Sequence, residues 1–233
     1  MKIRLTHPLI TCICIANGNP KDLVRTIICY YSQNYPNKEL IISYLESDNT
    51  SKHVIDTLKD KLDLRLIPLI RKQETSNGTA KNDAILQSNG EYICIWDDGN
   101  WYNYMRLMEQ HNTILSKARF CDASVLTSIT LYDPVNHIAA ESDYLWGDTL
   151  LCKKSLLLMH PFSDKNTAID LAIMQFLSKR GSLLYIDKLA FTFILLNNPS
   201  GSFNEQEFKY LFKRGRVVTQ EKTDLIPGLL KIQ

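Results

Sequence analysis

Between residues 9 and 96, four apolar runs of strand length alternate with three amphipathic segments of helix length. Residues 9–15 are apolar except for Thr11, as expected of a strand covered on both faces. Asn17-Gly18-Asn19-Pro20 then breaks the run. Asn19 suits the cap of the next helix and Pro20 its first position. Leu23, Ile27, Ile28 and Tyr31 recur at helical spacing and predict a helix over residues 20–33. Residues 39–43 read as a second strand. Residues 51–62 read as a second helix, with Val54, Ile55, Leu58 and Leu62 on one face. Residues 64–70 read as a third strand, which Pro68 confines to an edge or a bulge. A third helix is expected over 78–88, closed by Asn89-Gly90, and a fourth strand over 92–96. This alternation with short connections implies an α/β fold with a doubly wound, mostly parallel sheet flanked by helices. Right-handed crossovers then open a ligand crevice along the carboxyl ends of the strands.

The second half is less regular. A helix is predicted over 103–118, with Met105, Met108, Ile114 and Leu115 inward, then one long strand over 123–132. Asp133-Pro134-Val135-Asn136 makes a turn, from which residues 138–144 return antiparallel. Residues 149–152 add a short strand. Asn166 is expected to cap a helix over 167–180 that Gly181 stops, and residues 182–196 supply one or two strands. The small antiparallel part of the fold is expected here. Residues 1–200 read as one domain and 201–233 as a helical appendage carrying Lys209, Lys213, Arg214 and Arg216.

A net charge of +2 argues against a dedicated nucleic-acid binder. No apolar run approaches the ~20 residues of a transmembrane segment, and the start lacks the apolar core of a secretory signal. A cytoplasmic location is expected. The basic tail leaves peripheral contact with an anionic membrane open, with a solvated helix end as the simpler reading. The six cysteines show no zinc-ligand spacing and sit mostly among apolar neighbours, so reduced, buried thiols are expected.

The chemistry concentrates where residues 91–96 end in Asp97-Asp98-Gly99-Asn100. Aspartate, glycine and asparagine are also turn formers. Paired carboxylates at a strand end can nevertheless hold a divalent cation against nucleotide phosphates.

The order of these elements resembles the family 2 glycosyltransferases, of GT-A fold, over roughly residues 7–200. Three stretches carry the resemblance. The first is the opening strand with Asn19-Pro20-Lys21-Asp22-Leu23 and Gln33-Asn34-Tyr35-Pro36. The second is Gly78-Thr79-Ala80-Lys81-Asn82, similar to the family's Gly-x-x-x-Ala-Arg-Asn helix start. The third is Trp96-Asp97-Asp98-Gly99-Asn100-Trp101 followed by Arg106-Leu107 and Gln110, which resembles the Asp-x-Asp region. The resemblance implies an inverting enzyme that moves a sugar from a nucleotide-sugar donor, usually a UDP-sugar, to an acceptor hydroxyl in glycan biosynthesis, with Mg²⁺ or Mn²⁺ as cofactor. It implies a nucleotide-binding half over 1–101 and an acceptor-side half over 102–200. By position, Ala16, Tyr44, Lys81 and Asp97 fall to the nucleotide sugar, Asp97 and Asp98 to the metal, Trp146 and Asp148 to the acceptor side, and Asp170 to the general base.

The chain departs from that pattern. The second Asp of Asp-x-Asp is Gly99, the acid after it is Asn100, and the base-reading acid is Tyr44, with Glu46 or Asp48 as substitutes. Ile169 replaces the Glu before Asp170, and no His stands near residues 194–198. Metal use is therefore expected to be weak or absent. A catalytically silent module that binds a nucleotide, a glycan or a partner protein is the alternative. A nucleotidyltransferase shares the strand-end carboxylates, but the chain lacks a basic, glycine-rich loop after the first strand.

Overall fold

The alternating segments fold as two-sided strands and one-sided helices. The computed structural model describes residues 7–117, 121–143, 145–166, 170–187, 192–197 and 205–231. Strand β1 (Ile10–Ile15) leads to helix α1 (Pro20–Tyr31), β2 (Lys38–Leu45), α2 (Asn49–Leu62), β3 (Leu66–Arg71), α3 (Asn77–Gln87) and β4 (Tyr92–Ile95). Asn19 caps α1 by accepting from the Lys21 amide, and Pro20 opens the helix. Asp48 caps α2 by accepting from the Ser51 amide at 2.9 Å, so this acid is committed to the helix start.

The second half continues with β5 (Trp101–Tyr102), α4 (Arg106–Ser116), β6 (Ala123–Leu126), β7 (Ser128–Asp133), β8 (Ile138–Asp143) and a 3-10 turn, Gly147–Thr149. Then come β9 (Leu151–Lys153), α5 (Lys154–Met159), α6 (Leu171–Lys179), β10 (Leu183–Ile186) and β11 (Phe193–Leu196). Helices α7 (Glu205–Arg214), α8 (Gln220–Thr223) and α9 (Ile226–Leu230) follow, with β12 (Arg216–Val217) between the first two.

The larger sheet runs β10-β6-β9-β4-β1-β2-β3. All its pairs are parallel except those of β9, which is antiparallel to both β4 and β6. Pro68 lies on the edge strand β3, where its missing donor costs no ladder bond. The chain winds outward from β1 through β2 to β3 and returns to β4 on the other side of β1. That reversal is the topological switch where a crevice opens. Neighbouring β1 residues serve opposite faces. Cys12 and Cys14 pack in the core beneath α1 and α2, and Ile13 packs in the core with α3 and α6.

A second sheet, β12-β8-β7-β11-β5, is mostly antiparallel. The predicted single strand over 123–132 is in fact two. The chain leaves the larger sheet after Leu126 and joins the smaller at Ser128, while Thr127 bonds through its amide to the Ile186 carbonyl at 3.0 Å. Helix α4 starts at Arg106, three residues later than predicted, and its buried face is Arg106, Leu107, Gln110, His111 and Ile114. Met105, Met108 and Leu115 are only partly buried. Helix α6 starts at Leu171, and Asn166 instead accepts from the Asn77 amide at 2.9 Å. Residues 167–169, which include Ile169, lie outside the described residues.

The C-terminal stretch does contain helices, and it also completes the fold. β12 adds an edge to the second sheet, and Phe208 and Leu211 of α7 enter the main core. All six cysteines are free and buried. Among the described residues no helix is long and apolar enough to cross a membrane.

Candidate active site

Every strand of the β3-β2-β1-β4 block delivers its carboxyl end to one edge of the sheet, and the candidate residues gather along that edge. Ala16 follows β1 and is buried. Its amide donates to the Ser43 carbonyl at 2.8 Å, and its own carbonyl accepts from Arg71 Nη2 at 2.8 Å. Arg71, at the end of β3, also donates to the Ser43 carbonyl and so ties three strand ends together. No motif singles out this residue; its signal in the sequence is the first of two cations, Arg71-Lys72, that close an apolar edge strand. Tyr44 is 4% exposed and packs in the main core with Cys14 and Ala16. Glu46 is exposed just beyond it.

Asp97 and Asp98, adjacent in sequence, face different surroundings. Asp97 is partly exposed; its carbonyl accepts from the Tyr102 hydroxyl at 2.8 Å, and Asn100 Nδ2 lies 3.4 Å from its Oδ2. Asp98 is buried. Its Oδ2 accepts from the Asn17 amide at 3.0 Å and its Oδ1 from the Thr26 hydroxyl at 3.1 Å. Burial pushes the Asp98 carboxyl up to about 6, against the pull of those hydrogen bonds. Both its oxygens are engaged in bracing the loop after β4, one against the loop after β1 and the other against helix α1.

Gly99 has a local reason. Its φ is +83°, and an added Cβ would lie 3.1 Å from Asp22 Cγ. Aspartate there would be strained and would face a second carboxylate. The backbone is held by Arg25, whose Nη1 donates to the Gly99 carbonyl at 2.7 Å and pairs with Asp22 at 3.2 Å. Asn100 links the site to the second sheet, with its Oδ1 3.4 Å from the Leu196 amide.

The charged centre is Lys81, on the second turn of α3. It is buried, and its Nζ lies 3.2 Å from Asp148 Oδ1 and 3.4 Å from Asp170 Oδ1. Burial alone would lower its pKa. Asp148, Asp170 and Asp97 outweigh burial and hold the ammonium well above its ordinary value. Asp170 is pushed the other way from a normal carboxylate. Burial raises it to about 6, with Asp148 adding and Lys81 opposing. Three segments far apart in sequence thus meet: α3, the 3-10 turn and the start of α6. Asp97 lies close enough for its charge to act on Lys81.

The family-like helix start has its own scaffolding. Asn82 Nδ2 donates to the Phe162 carbonyl, and the Phe162 amide returns a bond to Asn82 Oδ1, both at 2.9 Å. The Gly78 amide donates to the Lys165 carbonyl at 3.0 Å, and a Cβ on Gly78 would lie 1.8 Å from the Ser163 carbonyl oxygen. Ser76 and Thr79 hydroxyls both donate to Asp164 Oδ1. Lys81 is therefore presented from a helix end clamped on the loop after α5. Trp146, expected on the acceptor side, packs in the main core, and its carbonyl accepts from the Thr149 hydroxyl at 2.6 Å. Asp148 alone of that pair reaches the charged cluster.

Among the described residues no three His, Cys, Asp or Glu side chains are placed to hold a metal ion. Asp97 offers a single carboxylate. Hard cations take much of their shell from phosphates and water, so one carboxylate with a diphosphate still fits Mg²⁺ or Mn²⁺.

A family model described as Glycosyl transferase family 2 matches residues 10–138. Solved structures share the fold. The S. aureus TarS 1-349 fragment in complex with UDP is 13% identical, with a TM-score of 0.64 over 94% of this chain and 69% of that one. Mannosyltransferase PcManGT from Pyrobaculum calidifontis, in complex with GDP-Man and Mn²⁺, is 14% identical, with a TM-score of 0.67 over 82% of this chain and 57% of that one. M. tuberculosis glucosyl-3-phosphoglycerate synthase is 11% identical, with a TM-score of 0.55 over 94% of this chain and 80% of that one. Among curated proteins no sequence matches the chain.

Proposed function

Because the chain belongs to glycosyl transferase family 2 and has the GT-A fold, we propose that it moves a sugar from a nucleotide-sugar donor to an acceptor hydroxyl. The finer reading is a UDP-sugar donor, inversion at the anomeric carbon, and a role in glycan biosynthesis in the cytoplasm. One observation carries it: Lys81, Asp148 and Asp170 converge beside Asp97 at the sheet edge where nucleotides bind in such folds.

In this reading Ala16, Tyr44 and Asp97 border the nucleotide, and Lys81 supplies positive charge toward the diphosphate. Asp170 takes the proton of the attacking hydroxyl. A carboxylate that titrates at about 6 is better matched to that task near neutral pH than one at 3.8. Asp148 and the Trp146 turn border the acceptor. Asp97 is the residue that would hold a divalent ion, which would supply charge neutralisation to the leaving diphosphate.

A second reading rests on Asp98 and Gly99. With Asp98 turned inward and Gly99 in place of an acid, the metal-binding region keeps one carboxylate, which favours a silent module that binds nucleotide, glycan or protein. Calorimetric titration with UDP, GDP and UDP-sugars, with and without Mn²⁺, separates the two. The proposal expects metal-linked binding that Asp97→Ala abolishes, and donor turnover that Asp170→Asn abolishes. Nucleotide binding without turnover of any donor and acceptor would leave the silent module standing.

A further inference from the structure

Arg106 is fully buried, yet pairs with no carboxylate among the described residues, and its Nη1 has no hydrogen-bond partner. Burying a guanidinium without a counter-ion is costly, so what the group touches instead is informative. Its Nη2 donates to the Ile95 carbonyl at 2.9 Å, at the end of β4, and lies 3.4 Å from the Asp148 carbonyl. Its Nε donates to Gln110 Oε1 at 3.0 Å, and Gln110 Nε2 donates to the Thr149 carbonyl at 2.8 Å. The guanidinium lies 4.9 Å from the Trp96 ring centroid and 4.6 Å from that of Tyr102. Tyr102 in turn donates to the Asp97 carbonyl. Helix α4 is anchored to the end of α1, since Gln33 Oε1 accepts from the Leu107 amide at 3.1 Å.

The hydrogen bonds and ring contacts of this side chain thus lead, directly or through Tyr102 and Gln110, to two segments: the strand end that bears Asp97 and the turn that bears Asp148. Resting on the reading of the site as a sugar-transfer centre, we propose that Arg106, with Gln110, is a positioning residue that locks the main chain of the Asp97 segment against that of the Asp148 segment. It touches no substrate. Through the Asp148 carboxylate and Lys81 it also sets where Asp170 stands. Core filling alone would not need a charge here, because apolar groups of similar volume commonly replace buried charges without loss of stability.

The test compares wild type with Arg106→Met, Arg106→Lys and Gln110→Leu. The expected result is a fall in kcat of about 10- to 100-fold for Arg106→Met with little change in donor KM, the cost of a displacement of about 1 Å. Arg106→Lys recovers part of it, because an ammonium can reach the carbonyls that Nη2 contacts but lacks the second arm that holds Gln110 through Nε. A folded Arg106→Met with unchanged kcat overturns the proposal. If Arg106→Met does not fold, Gln110→Leu replaces it, since it cuts the same lock at the Thr149 contact: a lowered kcat supports the proposal and an unchanged one overturns it. Amide hydrogen exchange reads the lock without any turnover: in Arg106→Lys, exchange accelerates together at residues 97–100 and 147–149. Acceleration confined to α4 overturns the proposal. A wild type that turns over no donor counts against the transferase reading, whereas the exchange result decides the lock by itself.

Discussion

A Cβ added at Gly147 would lie 2.4 Å from the Cβ of Asp170 and 2.6 Å from its carboxyl carbon. The missing side chain is therefore what lets Asp170 settle against the turn and reach Lys81 at 3.4 Å. Gly147→Ala is expected to push the carboxylate off the ammonium, costing roughly 100-fold in transfer rate while donor affinity holds. Steady-state kinetics with a titration of UDP checks this, and an alanine variant with full activity would remove Gly147 from the site. At Gly99 a positive φ and the neighbouring Asp22 likewise disfavour an acid. The Asp97-Asp98-Gly99 string is plain in the sequence. That Asp98 faces inward is not, because its partners Asn17 and Thr26 lie on another element, more than 70 residues earlier.

At the scale of elements, α3 shows what a motif can and cannot tell. Gly78, Lys81 and Asn82 mark a helix start, and the helix begins at Asn77. The partners of Gly78 and Asn82 come from the loop after α5, some 80 residues on, those of Lys81 from the 3-10 turn and the start of α6, and no local pattern points there. Asn82→Ala removes two bonds to Phe162 and leaves its amide and carbonyl unpaired. We expect a loss of about 1–3 kcal/mol of stability, read from urea unfolding; a change smaller than the error would mean that water replaces the pair. The long strand expected over 123–132 divides for a related reason. The run of buried residues is interrupted only at Thr127, where the chain passes from one sheet to the other. Helix α4 departs from its pattern in the same way: Arg106, Gln110 and His111 are polar by type, yet the core supplies carbonyls and ring faces that accept them.

Across the whole molecule, buried ionisable groups make stability depend on pH with opposing signs. His111 is buried between the rings of Tyr35 and Tyr92, at centroid distances of 5.4 and 5.3 Å, and neither ring nitrogen has a hydrogen-bond partner. Burial, with His7 adding, lowers its pKa below 6.5. The unfolded chain takes up this proton first, so the stability carried by neutral His111 is complete above pH 6.5. It is lost as the pH falls through the lowered folded value. Asp98 and Asp170, raised from 3.8 to about 6, act oppositely: they weaken the fold above about pH 6, and that weakness fades as the pH falls toward 3.8. His111→Phe should therefore gain on wild type in melting temperature as the pH is lowered from about 7 to about 5. A gap that does not vary with pH would show that the folded and unfolded chains bind this proton equally, with the His111 pKa not lowered by burial.

Periodicity and turn chemistry settled the α/β alternation, the N-terminal cap of α1 and the reduced, buried cysteines, because each depends on residues close together in the chain. Pro68 left β3 at an edge or a bulge, and the sheet order placed it at the edge. The antiparallel β9 between β4 and β6, the second sheet, and the meeting of Lys81 with Asp148 and Asp170 depended on contacts across 67 to 89 residues for the ion pairs alone. Such contacts are selected by packing and by the cost of burying charge without a partner. A local pattern can show that a residue carries charge. Which other charge it meets is decided by the folded chain.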